Sequence, residues 1–217
     1  MPAARFFPVL GLLVLLHCGR ARAMSEEGLM RMEQGKNTSA LEMFDRALRS
    51  NAREPLALYG KGMLLAEEAI TEEIALSMLQ LAVQQSQLAE KYRVRAYLRI
   101  AEIHARSGAK DETLQSLAKI SGTGRTVSGE TVRKVATIYL QLKEKDRARE
   151  AITAFLDTHP QDAETEYYLL KLYVLIFKDL KAGSRLCGKV DWQKRQSPPY
   201  LLNCSRVSAA NGDFAVA

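Results

Sequence analysis

The feature that most constrains this chain is a pattern of apolar residues that recurs along it. Three stretches carry the pattern: LMRMEQGKNTSALEMFDRAL, YLRIAEIHARSGAKDETLQSLAKI and VATIYLQLKEKDRAREAITAFLDTHP. In the first stretch, Ala40, Phe44 and Ala47 follow a Gly-Lys-Asn turn at the spacing of one helical face. Each stretch therefore predicts two short amphipathic helices joined by a tight turn.

Aligning these stretches places repeats along the chain after its first residues. Their starts fall near Ala21, Pro55, Val94, Gly129, Ala163 and Pro198, in steps of 34, 39, 35, 34 and 35 residues. The longest step is assigned to one extra residue in the turn before Ala75 and a short linker around 90–93. We therefore expect repeats over residues 24–54, 55–89, 94–127, 129–162 and 163–196, with a partial repeat over 198–217.

The period and the small-large-small pattern resemble the tetratricopeptide repeat, in which 34 residues form one helical hairpin. Small residues such as Ala40, Ala75 and Ala148 stand where the two helices of a hairpin would touch. The resemblance implies an all-α, right-handed solenoid of about five and a half repeats. It also implies a protein-binding or peptide-binding function, because such arrays present extended concave surfaces.

The first 23 residues differ from the rest of the chain. The segment MPAARFFPVLGLLVLLHCGRARA has an early Arg5, an uncharged run over 6–18, and small residues at Ala21 and Ala23. The run is shorter than the ~20 apolar residues that span a bilayer. We therefore expect a signal peptide over 1–23 that is cleaved, rather than an uncleaved anchor or a buried helix. Cleavage predicts a secreted or endoplasmic reticulum protein in a eukaryote, or a periplasmic one in a bacterium, with no membrane span.

The charge of the chain gives little support to nucleic-acid binding. The formal net charge is +6, but the leader holds three arginines and no acids, so the mature chain has 28 basic and 25 acidic residues. No run of lysines and arginines interleaved with aromatic residues appears. We therefore expect a protein partner and no nucleic acid.

Candidate catalytic residues are few. His104 and His159 are the two histidines outside the leader, and no metal-ligand spacing joins them to cysteines or carboxylates. The stretch SGTGRTVSG over 121–129 is glycine-rich, but it lacks the lysine of a phosphate-binding loop and predicts a connector. We expect no enzyme activity, no catalytic residue, no cofactor and no metal site.

Two cysteines and two asparagines are candidates for modification. Cys187 and Cys204 lie, by the repeat register, on two helices that pack together. In an oxidising compartment they could form a disulfide, and the alternative is two buried thiols. Asn37 and Asn203 each begin an Asn-X-Ser/Thr triplet, the acceptor of N-linked glycans, and Asn37 lies in a predicted turn.

The first helix of each repeat is expected to line a concave groove. Its predicted lining residues are Tyr59, Met63, Arg95, Leu98, Arg99, Glu102, Arg106, Arg133, Thr137, Tyr167 and Lys171. An apolar floor with several guanidinium groups suits an extended or helical peptide with acidic character, because arginine binds carboxylates through two hydrogen bonds. The alternative is a solvated helix face.

These features favour a non-enzymatic binding scaffold, with two other readings left open. The stretch EPLALYGKGMLLAEE over 54–68 is similar to the lumenal repeat region of aspartyl β-hydroxylases, which implies the non-catalytic arm of a larger enzyme. A bacterial envelope assembly scaffold is the other reading. The chain ends in NGDFAVA, halfway through a predicted hairpin. We therefore expect a longer protein or a covering partner, and self-association through this end.

Overall fold

The computed structural model describes residues 7–121, 127–188 and 198–211. Within these ranges every regular element is helical, and no strand occurs. The α-helices α1 to α11 span Phe7–Glu33, Asn37–Ser50, Pro55–Leu65, Glu72–Gln84, Glu90–Arg106, Lys110–Ser121, Gly129–Gln141, Lys145–Thr158, Ala163–Leu172, Leu180–Gly188 and Pro198–Asn211. The predicted all-α fold of helical hairpins is confirmed. None of the described helices combines the length and apolarity needed to cross a membrane.

The chain divides into unit 1, Met1–Thr126, and unit 2, Val127–Ala217. In unit 1, α1 pairs with α2, α3 with α4, and α5 with α6, and each hairpin also packs on the next. In unit 2, α7 pairs with α8, and α10 pairs with α11. In the C-terminal stretch NGDFAVA, the residues after Asn211 lie outside the described part of the chain. The same is true of residues 122–126 in the connector expected over 121–129.

One aromatic ring fixes the packing of the first two hairpins. Phe44 on α2 is fully buried, and its ring lies against Gly28 of α1 and Gly60 of α3. A Cβ added to Gly28 would lie 2.6 Å from Phe44 Cε1, and one on Gly60 would overlap the same ring. The backbones of two first helices can therefore approach this ring only because both residues lack a side chain.

Three of the turns inside the hairpins share one backbone conformation. Gly35, Gly108 and Lys143 lie between the two helices of their hairpins with φ of 73°, 77° and 64°. This left-handed conformation is strained for residues other than glycine. The second hairpin is different, because a 3₁₀ helix over Ala69–Thr71 joins its helices. This insertion accounts for the extra residue expected before Ala75.

The start of α5 corrects the expected linker at 90–93. Glu90–Arg93 is the first turn of α5, which begins four residues before the expected repeat start at Val94. Arg93 holds this turn in place, because its guanidinium donates to the carbonyls of Val83, Gln85, Ser86 and Leu88. Those carbonyls lie at and beyond the C-terminal end of α4, where helical carbonyls lack partners.

The leader is helical in the structure from Phe7 onward, and α1 continues without a break to Glu33. Ala21, inside the expected signal segment, is buried, and its carbonyl accepts from the Ser25 hydroxyl. A cut after Ala23 would leave a first helix that begins at Met24. The expected cleavage stays a prediction.

A disulfide joins Cys187 of α10 to Cys204 of α11, with their Cα atoms 5.7 Å apart. Both cysteines are buried and belong to one apolar cluster with Leu170, Tyr200 and Val207. The bridge thus links two helices that already pack together. It lies within unit 2, at the positions that the repeat register brings together.

We predict that Gly60→Ala lowers the free energy of unfolding by about 1–3 kcal/mol, because the new methyl group would overpack the Phe44 ring. Urea unfolding followed by circular dichroism measures the change. Gly188→Ala is the matched control, since a Cβ there meets nothing within 4 Å. Equal stability of the two variants would contradict this packing.

Candidate protein-binding surface

The predicted groove residues of unit 1 lie on α3 and α5, but not all are exposed. Tyr59 is only 1% exposed, and Leu98 is also buried, so these two lie beneath the surface and do not line it. The Tyr59 ring packs on Tyr92 with centroids 5.0 Å apart. Burial raises the pKa of the Tyr59 hydroxyl, and a hydrogen bond from Arg95 opposes that effect. Met63 is half-buried and Arg95 is exposed.

The other charged residues of this face in unit 1 pair with one another. Arg99 forms ion pairs with Glu67, beyond the end of α3, and with Glu102 on its own helix at 3.1 Å. Arg106 pairs with Glu72 at 2.6 Å. These guanidinium groups are therefore held by the protein's own carboxylates.

In unit 2 the predicted residues lie on α7 and α9. Arg133 pairs with Glu164 at 2.8 Å and donates to the Thr165 hydroxyl at 2.9 Å. The hydroxyls of Thr137 and Tyr168 are 2.9 Å apart. The Lys171 ammonium lies 4.9 Å from the centroid of the Tyr167 ring, a cation–π contact.

Many of these contacts join residues about one repeat apart in the sequence. The separation is 32 residues for Arg99 and Glu67, 34 for Arg106 and Glu72, and 31 for Thr137 and Tyr168. Side chains of successive hairpins thus contact each other. Of the four arginines predicted to bind an acidic ligand, three are paired with protein carboxylates. Among the described residues no carboxylate partner of Arg95 is found.

A cavity of about 800 Å³ lies in unit 1, away from the predicted groove residues. Its wall comes from α1, from the turn before α3, and from the start of α5 with the turn before it. Apolar side chains cover much of this wall, namely Leu29, Met30, Pro55, Leu56 and Tyr92. Arg22, Arg53 and Lys91 bring positive charge, and Glu26, Glu33 and Glu54 bring negative charge.

Glu54 is the unusual member of this cavity, because its side chain is charged and yet the residue is only 6% exposed. Burial raises the pKa of its carboxyl group, and the nearby Glu26 acts in the same direction. A hydrogen bond from the Leu56 amide and the charge of Arg22 lower it. Arg22 in turn pairs with Glu26 at 3.0 Å.

The two glycosylation candidates have different surroundings. Asn37 is exposed and is the first residue of α2. Asn203 is half-buried in α11, and its amide donates to the Tyr167 hydroxyl and to the Pro199 carbonyl. Of the two, Asn37 is the accessible acceptor.

In the part of the chain that the structure describes, no group of three or more histidines, cysteines and acids could hold a metal ion. His104 is half-buried. His159 is exposed and stacks on Phe155 with ring centroids 4.3 Å apart. Both therefore have ordinary structural surroundings.

Comparison with known proteins agrees with the helical repeats. The family profile for the tetratricopeptide repeat matches residues 26–76. These repeats therefore resemble the tetratricopeptide repeat, as the sequence predicts. The remaining hairpins are supported by solved structures, and by sequence no curated protein matches the chain.

Three solved structures illustrate the likeness, each too distant in sequence to show more than the fold. The pilF protein of Pseudomonas aeruginosa superposes with a TM-score of 0.65 at 16% identity, covering 92% of this chain and 88% of that one. A tetratricopeptide-repeat protein from Parabacteroides merdae gives 0.56 at 14%, covering 90% and 74%. TTC0263 of Thermus thermophilus, also such a protein, gives 0.54 at 20%, covering 88% and 98%. The fold suggests a non-catalytic scaffold for protein interactions.

Sequence reasoning missed the cavity in unit 1. Glu54 and Tyr92 line it, and Arg93 organises the turn beside it. The available signal was the 39-residue step between the second and third repeats. The repeat pattern predicts a turn residue and a linker for these extra residues, whereas in the structure Glu90–Arg93 extends α5 and places Tyr92 in the cavity wall.

We predict that Glu54→Gln raises the free energy of unfolding at pH 7 and has little effect at pH 4. A raised carboxyl pKa means that ionisation opposes folding, so the wild type loses stability as the pH rises through that pKa. Glutamine removes this loss and keeps an acceptor for the Leu56 amide. Urea unfolding at both pH values tests this, with the exposed Glu42→Gln as control. A loss of stability at pH 7 would contradict it.

Proposed function

We propose that this protein is a non-enzymatic scaffold of an exported, oxidising compartment that binds a protein partner along α3 and α5 of unit 1. The observation that carries the proposal is a polar surface whose side chains are already held in place. Arg99 is fixed between Glu67 and Glu102, and Arg106 pairs with Glu72. A surface whose side chains are fixed before binding loses less conformational entropy when a partner arrives.

Arg95 is the residue best placed to bind an acidic group of such a partner. It is exposed, and no carboxylate of the described residues forms an ion pair with its guanidinium. Arg99 and Arg106 would have to give up their own carboxylates to do the same. We therefore expect the partner to place one carboxylate at Arg95 and apolar atoms at Met63.

Two features support export. The leader over 1–23 has the composition of a signal peptide. The disulfide between Cys187 and Cys204 needs an oxidising environment to form, as in the endoplasmic reticulum, outside the cell or in a periplasm. Asn37 would carry a glycan if the route is the eukaryotic one.

We predict that a photo-crosslinking amino acid at Met63 captures a partner protein in the cells that make the chain. The same residue placed at the exposed Gln80, on the second helix α4, is the control. Adding Arg95→Glu should reduce the Met63 adduct about tenfold, because a carboxylate at position 95 would repel the carboxylate expected on the partner. Equal adducts at both positions, or no effect of Arg95→Glu, would overturn the proposed surface.

For export we predict that the protein purified from its source begins at Met24. Its mass should increase by about 2 Da on reduction, as one disulfide requires. A glycan increment that disappears in Asn37→Gln would identify the eukaryotic route. A mass that includes residues 1–23, or cysteines that react with a thiol reagent in the native unreduced chain, would count against export.

A further inference from the structure

The cavity beside α1, α3 and α5 has a chemistry that the proposed scaffold function does not explain. It contains a buried carboxylate, that of Glu54, which has no ion-pair partner within hydrogen-bonding distance in the described part of the chain. Burying an ionised group without a partner is costly. Its neighbour Glu26 adds a second negative charge. A positive group at this place would therefore gain two favourable interactions.

The leader shows which kind of group fits here. Arg22 lines the same cavity, pairs with Glu26 at 3.0 Å, and acts on Glu54 through its charge. It thus places a guanidinium against the Glu26 carboxylate, in the same cavity that Glu54 lines. Among the described residues, Arg22 is the cation that acts on Glu54.

Cleavage of the predicted signal peptide would take this cation away. Arg22 and Gly19 both lie in segment 1–23, and both line the cavity. With the leader, the wall carries three positive and three negative side chains. Without Arg22 the remaining cations are Arg53, which is exposed, and Lys91, whose ammonium lies 4.6 Å from the centroid of the Tyr92 ring. The acidic side of the cavity would then be unpaired.

The apolar part of the wall suits the stem of a long basic side chain. Leu29 and Leu56 are buried, and Tyr92 is half-buried. Lysine and arginine commonly bury their methylene groups on such surfaces while the charged end meets a polar partner. The cavity is also large enough for one such side chain with its flanking backbone.

We propose that in the mature protein this cavity takes a lysine or arginine side chain of the partner, in the place that Arg22 occupies in the uncleaved chain. The inference rests on the proposed function, since it names the partner chemistry at a second place on unit 1. Glu54 and Glu26 bind the charged end, and Leu29, Leu56 and Tyr92 hold the stem. The first turn of α5, anchored by Arg93, contributes Lys91 and Tyr92 to the wall.

A peptide selection tests this proposal directly. Random 12-residue peptides displayed on phage are selected on residues 24–217, and in parallel on the Glu54→Gln and Glu42→Gln variants. We expect peptides with a lysine or arginine at one fixed position from the wild type and from Glu42→Gln, but not from Glu54→Gln. Replacing that residue by norleucine in the selected peptide should weaken binding to the wild type at least tenfold and leave binding to Glu54→Gln unchanged.

The leader supplies a second measurement. A chain of residues 19–217, which keeps Arg22, should bind the selected peptide at least tenfold more weakly than residues 24–217. Arg22→Gln in the longer chain should restore binding. These effects are not expected from a structural role of Glu54, because Glu54→Gln is predicted to stabilise the fold at neutral pH.

The remaining outcomes overturn the inference in distinguishable ways. Peptides that bind but respond to Arg95→Glu and not to Glu54→Gln would refute the cavity and leave the proposed function standing. Selection without any basic consensus would also refute the cavity. If no peptide is selected and Met63 captures no partner in cells, both proposals fail.

Discussion

The contact on which the first hairpins depend is the one between the Phe44 ring and the glycines on either side of it. Phe44 lies on α2, and Gly28 and Gly60 lie on the two first helices that flank it. Because neither glycine has a Cβ, one ring can fill the space between successive hairpins. Ala40, Ala75 and Ala148 serve the same end inside their hairpins, where all three are fully buried. A helical hairpin of this size cannot bury its apolar face alone, so these close contacts make stacking possible.

Close stacking has a consequence for the binding surface. It brings side chains of neighbouring hairpins within reach of each other, and charged side chains bond across the repeats, as Arg99 does to Glu67 and Arg133 to Glu164. These guanidinium groups stiffen the face and are no longer free to bind a ligand. What the proposed binding face offers a partner is therefore a fixed shape and the exposed guanidinium of Arg95. The cavity near Glu54 lies apart from this face.

The sequence alone was sufficient to predict the structural features that recur from one repeat to the next. Glycine turns at Gly35 and Gly108 and the small residues of the hairpins follow from the period alone. The turn at Lys143 has the same left-handed backbone conformation as the glycine turns. A lysine does not indicate that conformation, so the sequence did not predict it. The burial of Tyr59 and the pairing of Arg99 were also missed, because each involves a side chain about one repeat away, Tyr92 and Glu67. The helical turn at 90–93 was missed because it depends on the bonds of Arg93 to the carbonyls that follow α4. The cavity exists because of such a departure from the period, and a consensus could not reveal it.

The central claim is that contacts between neighbouring hairpins are enough to form unit 1 and its binding surface. Residues 24–126, produced without the rest of the chain, test it most directly. The account predicts a helical circular dichroism spectrum, a cooperative urea transition, and an unfolding free energy that Gly60→Ala reduces. A chain of residues 24–126 that is unfolded, or that becomes helical only when 127–217 is added, would contradict it.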